Sequence, residues 1–252
     1  MLLDTRPKTF DELIRISGLS HGTDVWLGNA QSLIEEGTVT LNEAICCRDD
    51  IMIYLIKQGL PPNPSFKIME TVRKGKALKD PAKWEEYKAL MKEHNVPDWY
   101  IKSCEKIKYM FPKAHAAAYV TMAFRIAWFK VHIPKAYYSA YFSIRAKQFD
   151  SEIMCHGKER VKNKMKEIEM KNQKKEATKA ELDMYDDLEI VLEMYERGFE
   201  FLPVDIYESD ATKFKIQDDK LRPPLNSIAG FGTVAAQGIV NARKDRKIYV
   251  YR

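Results

Sequence analysis

Apolar residues recur at helical spacing along most of the chain, which predicts a mainly α-helical protein. Thr9 is positioned to cap a first helix, and Gly18 is positioned to end it. Another helix is expected to begin near Asp49 and to end at Gly59, because two prolines follow. Three more helices are predicted at about 65–76, from Pro81 through Met91, and from Pro97 through Ile107.

Residues 19–28 differ from these helices. They hold polar residues and a tryptophan among glycines, and they lack the periodicity of a long element. Polar residues in such a segment favour a functional loop carried by a rigid scaffold.

The longest predicted helix begins at Pro112, is rich in alanine and carries almost no charge. This composition predicts a helix that is buried on most sides and packs closely through its small residues. No run in the chain approaches the roughly 20 apolar residues that span a bilayer, so no membrane partner is expected. An aromatic-rich helix with a proline in its first turn is predicted at 134–145.

The last third of the chain changes in character. Residues 158–181 carry nine basic and five acidic side chains, which predicts either a solvated helix face or an exposed arm. An apolar stripe at 182–195 predicts a further helix that ends at Gly198. Beyond it, the β-prone segments 201–207 and 212–217 favour a small two-stranded element.

Composition gives only weak indications of the partner and the cellular compartment of this protein. The 41 Lys and Arg residues exceed the 36 Asp and Glu residues by five, which favours a polyanionic partner without establishing one. The four cysteines form no C-x-x-C pair, so we expect free thiols in a reducing compartment. The N-terminus lacks the apolar region of a signal peptide, which predicts a soluble, cytoplasmic protein.

The common catalytic motifs are missing from the sequence. It contains no Walker loop, no G-x-G-x-x-G, no H-E-x-x-H and no G-x-S-x-G. The Asp-Asp pairs at 49–50 and 218–219 fall at a predicted helix start and a predicted turn, where capping explains them better than metal binding does. No metal site and no catalytic residue is therefore predicted within the chain.

Two groups of cations and rings are candidates for phosphate binding. Arg73, Lys74 and Lys76 surround a glycine at a helix end, where they could clamp a polyanion or only complement the helix dipole. On the alanine-rich helix, His115 and Tyr119 lie four residues apart and share a face, with Lys113 and Arg125 on the same helix. A cation or imidazole can meet phosphates while a tyrosine stacks on a base. A buried helix with a core tyrosine explains the same pattern equally well.

A third candidate lies at residues 225–243. Gly230 and Gly232 flank an apolar residue, and a helical stripe follows Thr233 as far as Arg243. This pattern fits a helix-hairpin-helix, in which backbone N–H groups at a glycine-rich turn bind a DNA phosphate without recognising sequence. An ordinary helical hairpin remains the alternative.

Four stretches resemble the PolC-type DNA polymerase III α subunit, the replicative polymerase of low-G+C Gram-positive bacteria. They are ISGLSHGTDVWLGNAQ at 16–31, CRDDI at 47–51, IMETVRKGK at 68–76 and YMFPKAHAAAY at 109–119. The resemblance covers essentially the whole chain. It implies the mainly helical fingers domain of a C-family polymerase at 1–198, followed at 199–252 by a small β element and the start of a helix-hairpin-helix region.

The resemblance also implies a division of labour. In the family, palm aspartates hold two Mg²⁺ ions, and those aspartates are expected outside this segment, which we therefore expect to be inactive in primer extension by itself. The implied partners are primer–template DNA and deoxynucleoside triphosphates, with the sliding clamp and replisome proteins bound through other regions.

Individual roles follow by similarity to the family. The cations at 73–76 would contact the triphosphate, Lys113, His115 and Tyr119 would face the nascent base pair, and Ser20 and His21 would lie in a loop near the nucleotide. The competing hypotheses are a non-catalytic helix-hairpin-helix DNA-binding module and a structural helical scaffold. They differ in whether substitutions change nucleotide KM, duplex affinity or neither.

Overall fold

The computed structural model describes residues 1–245, and for Lys244 and Asp245 it describes the backbone alone. These residues form two compact units, of which the first is Met1–Phe124 and the second begins at Arg125. The mainly helical fold class is confirmed. The boundary predicted after residue 198 separates the fingers domain from the helix-hairpin-helix region, which is a different division from these compact units. It stays a prediction.

The first unit is built from helices that surround one apolar core. Its helices are α1 Leu2–Thr5, α2 Phe10–His21, α3 Gln31–Glu35, α4 Arg48–Lys57, α5 Pro62–Arg73, α6 Pro81–Glu93, α7 Asp98–Lys106 and the first part of α8 Lys113–His132. The largest fully buried side chains include Trp84 and Tyr100, and the Tyr100 ring stacks on Tyr54 with 4.2 Å between ring centroids. Thr9 begins α2 as predicted, since its hydroxyl accepts a hydrogen bond from the Glu12 N–H, and at α6 Asp80 accepts one from the Lys83 N–H.

The predicted end of α2 at Gly18 is wrong. The helix continues to His21, so Ser20 and His21 lie in its last turn rather than in a loop. Gly18 serves close packing instead, because a Cβ at this position would lie 2.4 Å from the Cys47 sulfur and 2.6 Å from the Cys46 carbonyl oxygen. A glycine needed for helix packing cannot be told from a terminating glycine by sequence pattern alone.

The predicted burial of α8 is also wrong. Among its residues only Ala116 is buried, while the side chains of Tyr119, Met122 and Phe124 are more than half exposed. The alanine-rich pattern indicates an apolar helix face that is favourable to bury, but the described residues leave most of that face exposed. None of the described helices has both the length and the hydropathy to cross a bilayer.

The second unit packs four further helices around an aromatic cluster. These are α9 Pro134–Ile144, α10 Ser151–Met154, α11 Lys158–Gln173 and α12 Lys179–Glu196, and they are followed by strands β1 Lys215–Gln217 and β2 Lys220–Arg222, a 3₁₀ turn at Leu225–Ser227 and α13 Thr233–Asp245. The highly charged stretch at 158–181 is mostly helix, with Val161 and Ile168 buried. The solvated-helix alternative therefore holds, and the exposed arm does not.

The small β element is displaced from its predicted position. Strand β1 pairs antiparallel with β2, so that Ile216 faces Leu221 across a turn made by Asp218 and Asp219. Both aspartates have positive φ, which two-residue hairpin turns of the I′ type require. The segment at 201–207 forms only an isolated bridge from Phe201 to Leu221, because the tight turn pairs the chain locally.

Asp187 is a buried acid that stabilises the second unit. One of its carboxylate oxygens accepts hydrogen bonds from the backbone N–H groups of Lys147 and Gln148, each at 2.8 Å. Replacing Asp187 with Ala removes the acceptor of both partly buried hydrogen bonds, and we expect a loss of about 2–4 kcal/mol in the free energy of unfolding. Urea unfolding followed by circular dichroism measures this loss.

Asp187→Asn is the matched control, because its amide oxygen can accept both hydrogen bonds. Burial raises the pKa of Asp187, so the folded chain binds this proton more tightly than the unfolded chain does. Wild-type stability therefore declines, relative to the Asn variant, as pH rises through the range above the ordinary Asp pKa. An Ala variant as stable as the Asn variant would contradict this role.

Candidate nucleotide-binding surface

Three separate stretches of the first unit meet through backbone hydrogen bonds. The Thr23 N–H donates to the Tyr109 carbonyl at 2.9 Å, and the Lys108 N–H donates to the Thr23 carbonyl at 3.1 Å. On the other side of the same strand-like segment, the Met110 N–H donates to the Arg73 carbonyl at 3.3 Å. The end of α2, the end of α5 and the approach to α8 are therefore fixed together.

Phe111 is the centre of a cluster of rings at this meeting point. The His21 ring lies 5.1 Å from the Phe111 ring, the His115 ring 6.0 Å and the Tyr119 ring 6.3 Å, measured between centroids. His21, His115 and Tyr119 are exposed, and Tyr119 keeps 65% of its surface accessible. We call His21, Phe111, His115, Tyr119 and the adjoining 73–76 segment the Phe111 surface.

The cations at 73–76 are already partly neutralised. Glu70 accepts hydrogen bonds from the Arg73 guanidinium, and its second oxygen lies 2.8 Å from the Lys74 ammonium. The hydrogen bond from Arg73, reinforced by Lys74, lowers the pKa of Glu70 to about 2. Lys76 is exposed and forms no ion pair with any residue that the structure describes.

The first turn of α8 is held by acids from α2 and α4. The Asp49 carboxylate accepts a hydrogen bond from the Lys113 N–H at 2.8 Å, so it satisfies one of the free donors at the helix start. The Lys113 ammonium lies 3.5 Å from an Asp11 oxygen and 4.0 Å from an Asp50 oxygen. In this structure the Lys113 side chain therefore points into an acidic cluster and helps to position α8.

Arg15 completes this cluster of acids around Lys113, and no sequence pattern indicated it. Its guanidinium lies 3.0 Å from Asp11 and 4.0 Å from Asp50, and Asp50 also accepts from the Cys47 N–H at 2.9 Å. Partial burial opposes ionisation of Asp11, but the hydrogen bond from Arg15 and the charge of Lys113 hold its pKa below the ordinary value. The CRDDI motif at 47–51 was the available signal, and capping accounts for both of its aspartates.

In the second unit, the glycine-rich turn before α13 presents open backbone. Gly230 has a φ of +76°, and a Cβ at Gly230 or Gly232 would meet no atom within 4 Å. Thr233 begins α13, and its hydroxyl lies 3.5 Å from the Asn226 amide. Arg243 donates to the Ile206 carbonyl at 2.9 Å, which anchors α13 to the preceding loop.

Cysteine, histidine and carboxylate side chains, the usual metal ligands, are scattered in the part of the chain that the structure describes. No three His, Cys, Asp or Glu side chains there stand close enough to hold a metal ion. The four cysteines are free thiols, and burial raises the pKa of Cys47 to about 12.

Two family models match the chain. Residues 1–95 match the finger domain of the bacterial DNA polymerase III alpha subunit, and residues 198–250 match the helix-hairpin-helix motif. The PolC-type DNA polymerase III of Clostridium perfringens is 56% identical over 96% of this chain, and that of Caldanaerobacter subterraneus is 57% identical over 98%. The chain belongs to the PolC-type DNA polymerase III family.

The Streptococcus suis member of the family is 56% identical over 97% of the chain. The chain spans about one-sixth of the length of these relatives, between 16% and 17% of each. The finger-domain match includes Ser20, His21 and the 73–76 cations, whereas His115 and Tyr119 on α8 lie beyond it. The helix-hairpin-helix match includes Gly230, Gly232, Thr233 and Arg243.

Proposed function

We propose that the Phe111 surface binds the incoming deoxynucleoside triphosphate and the templating base in a DNA-directed DNA polymerase. The observation that supports this most is the convergence of His21, the 73–76 segment and the first turns of α8 around Phe111, while the Ser20 hydroxyl donates to the Ser17 carbonyl within α2. A surface that carries both cations and exposed rings suits a nucleotide, because cations bind its phosphates and aromatic rings stack on its base.

The chemical part of this proposal is positioning. Arg73, Lys74 and Lys76 would neutralise the triphosphate while Tyr119 stacks against the nascent base pair, which aligns the α-phosphate for attack. Lys113 and His115 would stand between these two contacts, with Lys113 acting mainly through the placement of α8. Closure of the fingers on the correct nucleotide would complete the alignment.

The metal chemistry of the reaction would be supplied elsewhere. Two Mg²⁺ ions held by palm carboxylates outside this segment would activate the attacking group and stabilise the leaving group. The isolated segment is accordingly expected to be inactive. The clamp and replisome partners, and the cytoplasmic location, belong to the whole polymerase and stay part of the proposal.

The second unit would bind the DNA duplex. The open backbone at Gly230 and Gly232, together with the Thr233 N–H at the start of α13, would donate to a DNA phosphate. Arg243 would act by holding α13 against the 206 carbonyl. Such contacts position a duplex without recognising its sequence.

Substitutions of Arg73 and of its partner Glu70 should change the nucleotide KM in opposite directions. In a full-length polymerase that carries this segment, Arg73→Ala is expected to raise the nucleotide KM about tenfold, the equivalent of one charge-assisted hydrogen bond. Glu70→Gln removes the carboxylate that pairs Arg73 and Lys74, so it is expected to lower the KM severalfold. Steady-state primer extension with varied nucleotide measures both.

Arg145→Ala is the matched control, because Arg145 is exposed and lies in the second unit. We expect its nucleotide KM and its primer–template affinity to stay at wild-type values. Arg73→Ala could instead weaken primer–template binding, by the same factor whichever nucleotide is present. That result would favour the hypothesis of a non-catalytic DNA-binding module. No effect of Arg73→Ala on either quantity would support the scaffold hypothesis.

A further inference from the structure

A cleft of about 650 Å³ opens on the first unit next to the 73–76 segment. Four lysines line it, and neither the sequence motifs nor the Phe111 surface accounts for three of them. We call it the lysine cleft, and it is lined by Asp24, Leu27, Lys74, Gly75, Leu78, Lys79, Glu105, Lys106, Ile107 and Lys108.

The cleft exists because two chain segments approach at backbone distance. Gly75 has a φ of +61°, and a Cβ there would lie 2.5 Å from the Lys108 carbonyl oxygen. This approach brings Lys74 and Lys79, which follow α5, to the same cleft as Lys106, the last residue of α7, and Lys108 just beyond it.

The charge of the cleft is positive. Its acids are Asp24, which lies 2.6 Å from the Lys108 ammonium, and Glu105, which accepts a hydrogen bond from the Trp84 indole at 2.8 Å. Lys106 donates to the Gly28 carbonyl and Lys79 forms no ion pair with any described residue, so both keep their full charge. Lys74 is paired with Glu70 and Lys108 with Asp24, so the unpaired Lys79 and Lys106 leave the cleft positive, which favours an anionic ligand.

Two apolar side chains lie beside these lysines in an exposed position. Leu27 keeps 75% of its surface accessible and Leu78 keeps 66%. Both line the cleft, so a ligand there meets apolar surface as well as ammonium groups. Burying such surface against a flat apolar group is favourable, at about 25 cal/mol per Å².

We propose that the lysine cleft binds a single strand of nucleic acid, with its phosphates on the lysines and its bases against Leu27 and Leu78. A cleft of about 650 Å³ has room for roughly one or two nucleotides. Lysines are compact point charges suited to successive phosphodiesters of any sequence. The inference rests on the proposed function only in that the chain works on DNA.

The test is fluorescence anisotropy of the 252-residue chain with a fluorescein-labelled oligothymidylate at several salt concentrations. Each phosphate contact to a single strand contributes about 0.7 to the slope of log K against log[salt], so Lys106→Gln with Lys108→Gln should lower the slope by about 1.4. The affinity at low salt should fall roughly tenfold. Circular dichroism verifies that the variant is folded.

Lys67→Gln with Lys92→Gln is the matched control, because it removes the same charge from exposed positions outside the cleft. We expect the wild-type slope from this control. An equal decrease in both double variants would mean that overall charge, and not the cleft, binds the strand, and the proposal would be wrong.

Two further arms separate the cleft from the Phe111 surface. The slope is measured without nucleotide, so a failure of nucleotide binding at the Phe111 surface would leave this result intact. Unlabelled deoxynucleoside triphosphate should not displace the oligonucleotide; displacement would mean that the cleft takes the free nucleotide. Lys79→Glu breaks no ion pair among the described residues, and if it too leaves strand affinity unchanged, the cleft does not bind the strand.

Discussion

Replacing Gly75 with Ala should lower the free energy of unfolding of the first unit by about 2–4 kcal/mol, as measured by urea unfolding. Gly75 has a φ of +61°, which side chains with a Cβ rarely adopt. The added Cβ would also lie 2.5 Å from the Lys108 carbonyl oxygen and 2.9 Å from the Lys108 Cα. The Lys108 backbone cannot move freely, because its N–H is bonded to the Thr23 carbonyl.

Gly37→Ala separates the cost of a positive φ from the cost of a close contact. Gly37 has a φ of +73° in the same unit, and a Cβ there would meet nothing within 4 Å. It should therefore show only the conformational part, about 1 kcal/mol. If Gly75→Ala is no worse than Gly37→Ala, the close approach of the two segments does not contribute to stability.

The consequence of Gly75→Ala should extend to both binding surfaces. The Gly75–Lys108 approach fixes the 73–76 cations beside the segment that leads to Phe111, and it also forms the lysine cleft. A side chain at this position would separate the two segments. Sequence pattern identified Gly75 only as a glycine among cations, because its neighbour Lys108 lies more than thirty residues away in the chain.

Local features of the fold were predicted well where local chemistry decides them. Thr9 caps α2, Gly59 follows the end of α4, and Asp218 with Asp219 forms a turn, because capping and turn preferences act within a few residues. Gly18 was misjudged because its role is set by Cys47 on another segment. The exposure of α8 was missed because amino-acid pattern reports the need for partners and not their presence.

The chemistry of the residues predicted the candidate site as separate groups, and only the family resemblance implied a single nucleotide site. Cations at 73–76 and rings on α8 were chosen for their chemistry, yet Phe111, which joins His21 to His115 and Tyr119, was not among them. The support of α8 by Asp49 was also missed, since it links residues 64 positions apart. Such through-space contacts leave no periodic signal in the sequence.

Tyr119→Ala in a full-length polymerase should raise the nucleotide KM roughly tenfold to a hundredfold. Stacking of a base on an aromatic ring contributes about 1–3 kcal/mol, and Tyr119 presents an exposed ring on the Phe111 surface. Tyr119→Phe keeps the ring and removes only the hydroxyl, so it should remain close to the wild-type value. The substitution should not alter folding, because the side chain is largely exposed.

The decisive measurement is the nucleotide KM of Tyr119→Ala together with its equilibrium Kd for primer–template DNA, determined on the same enzyme preparation. A binding surface for the incoming nucleotide requires the KM to rise while the Kd for primer–template stays at the wild-type value. A wild-type KM, or an increase in the primer–template Kd that matches the increase in KM, would contradict a nucleotide-binding role for the Phe111 surface.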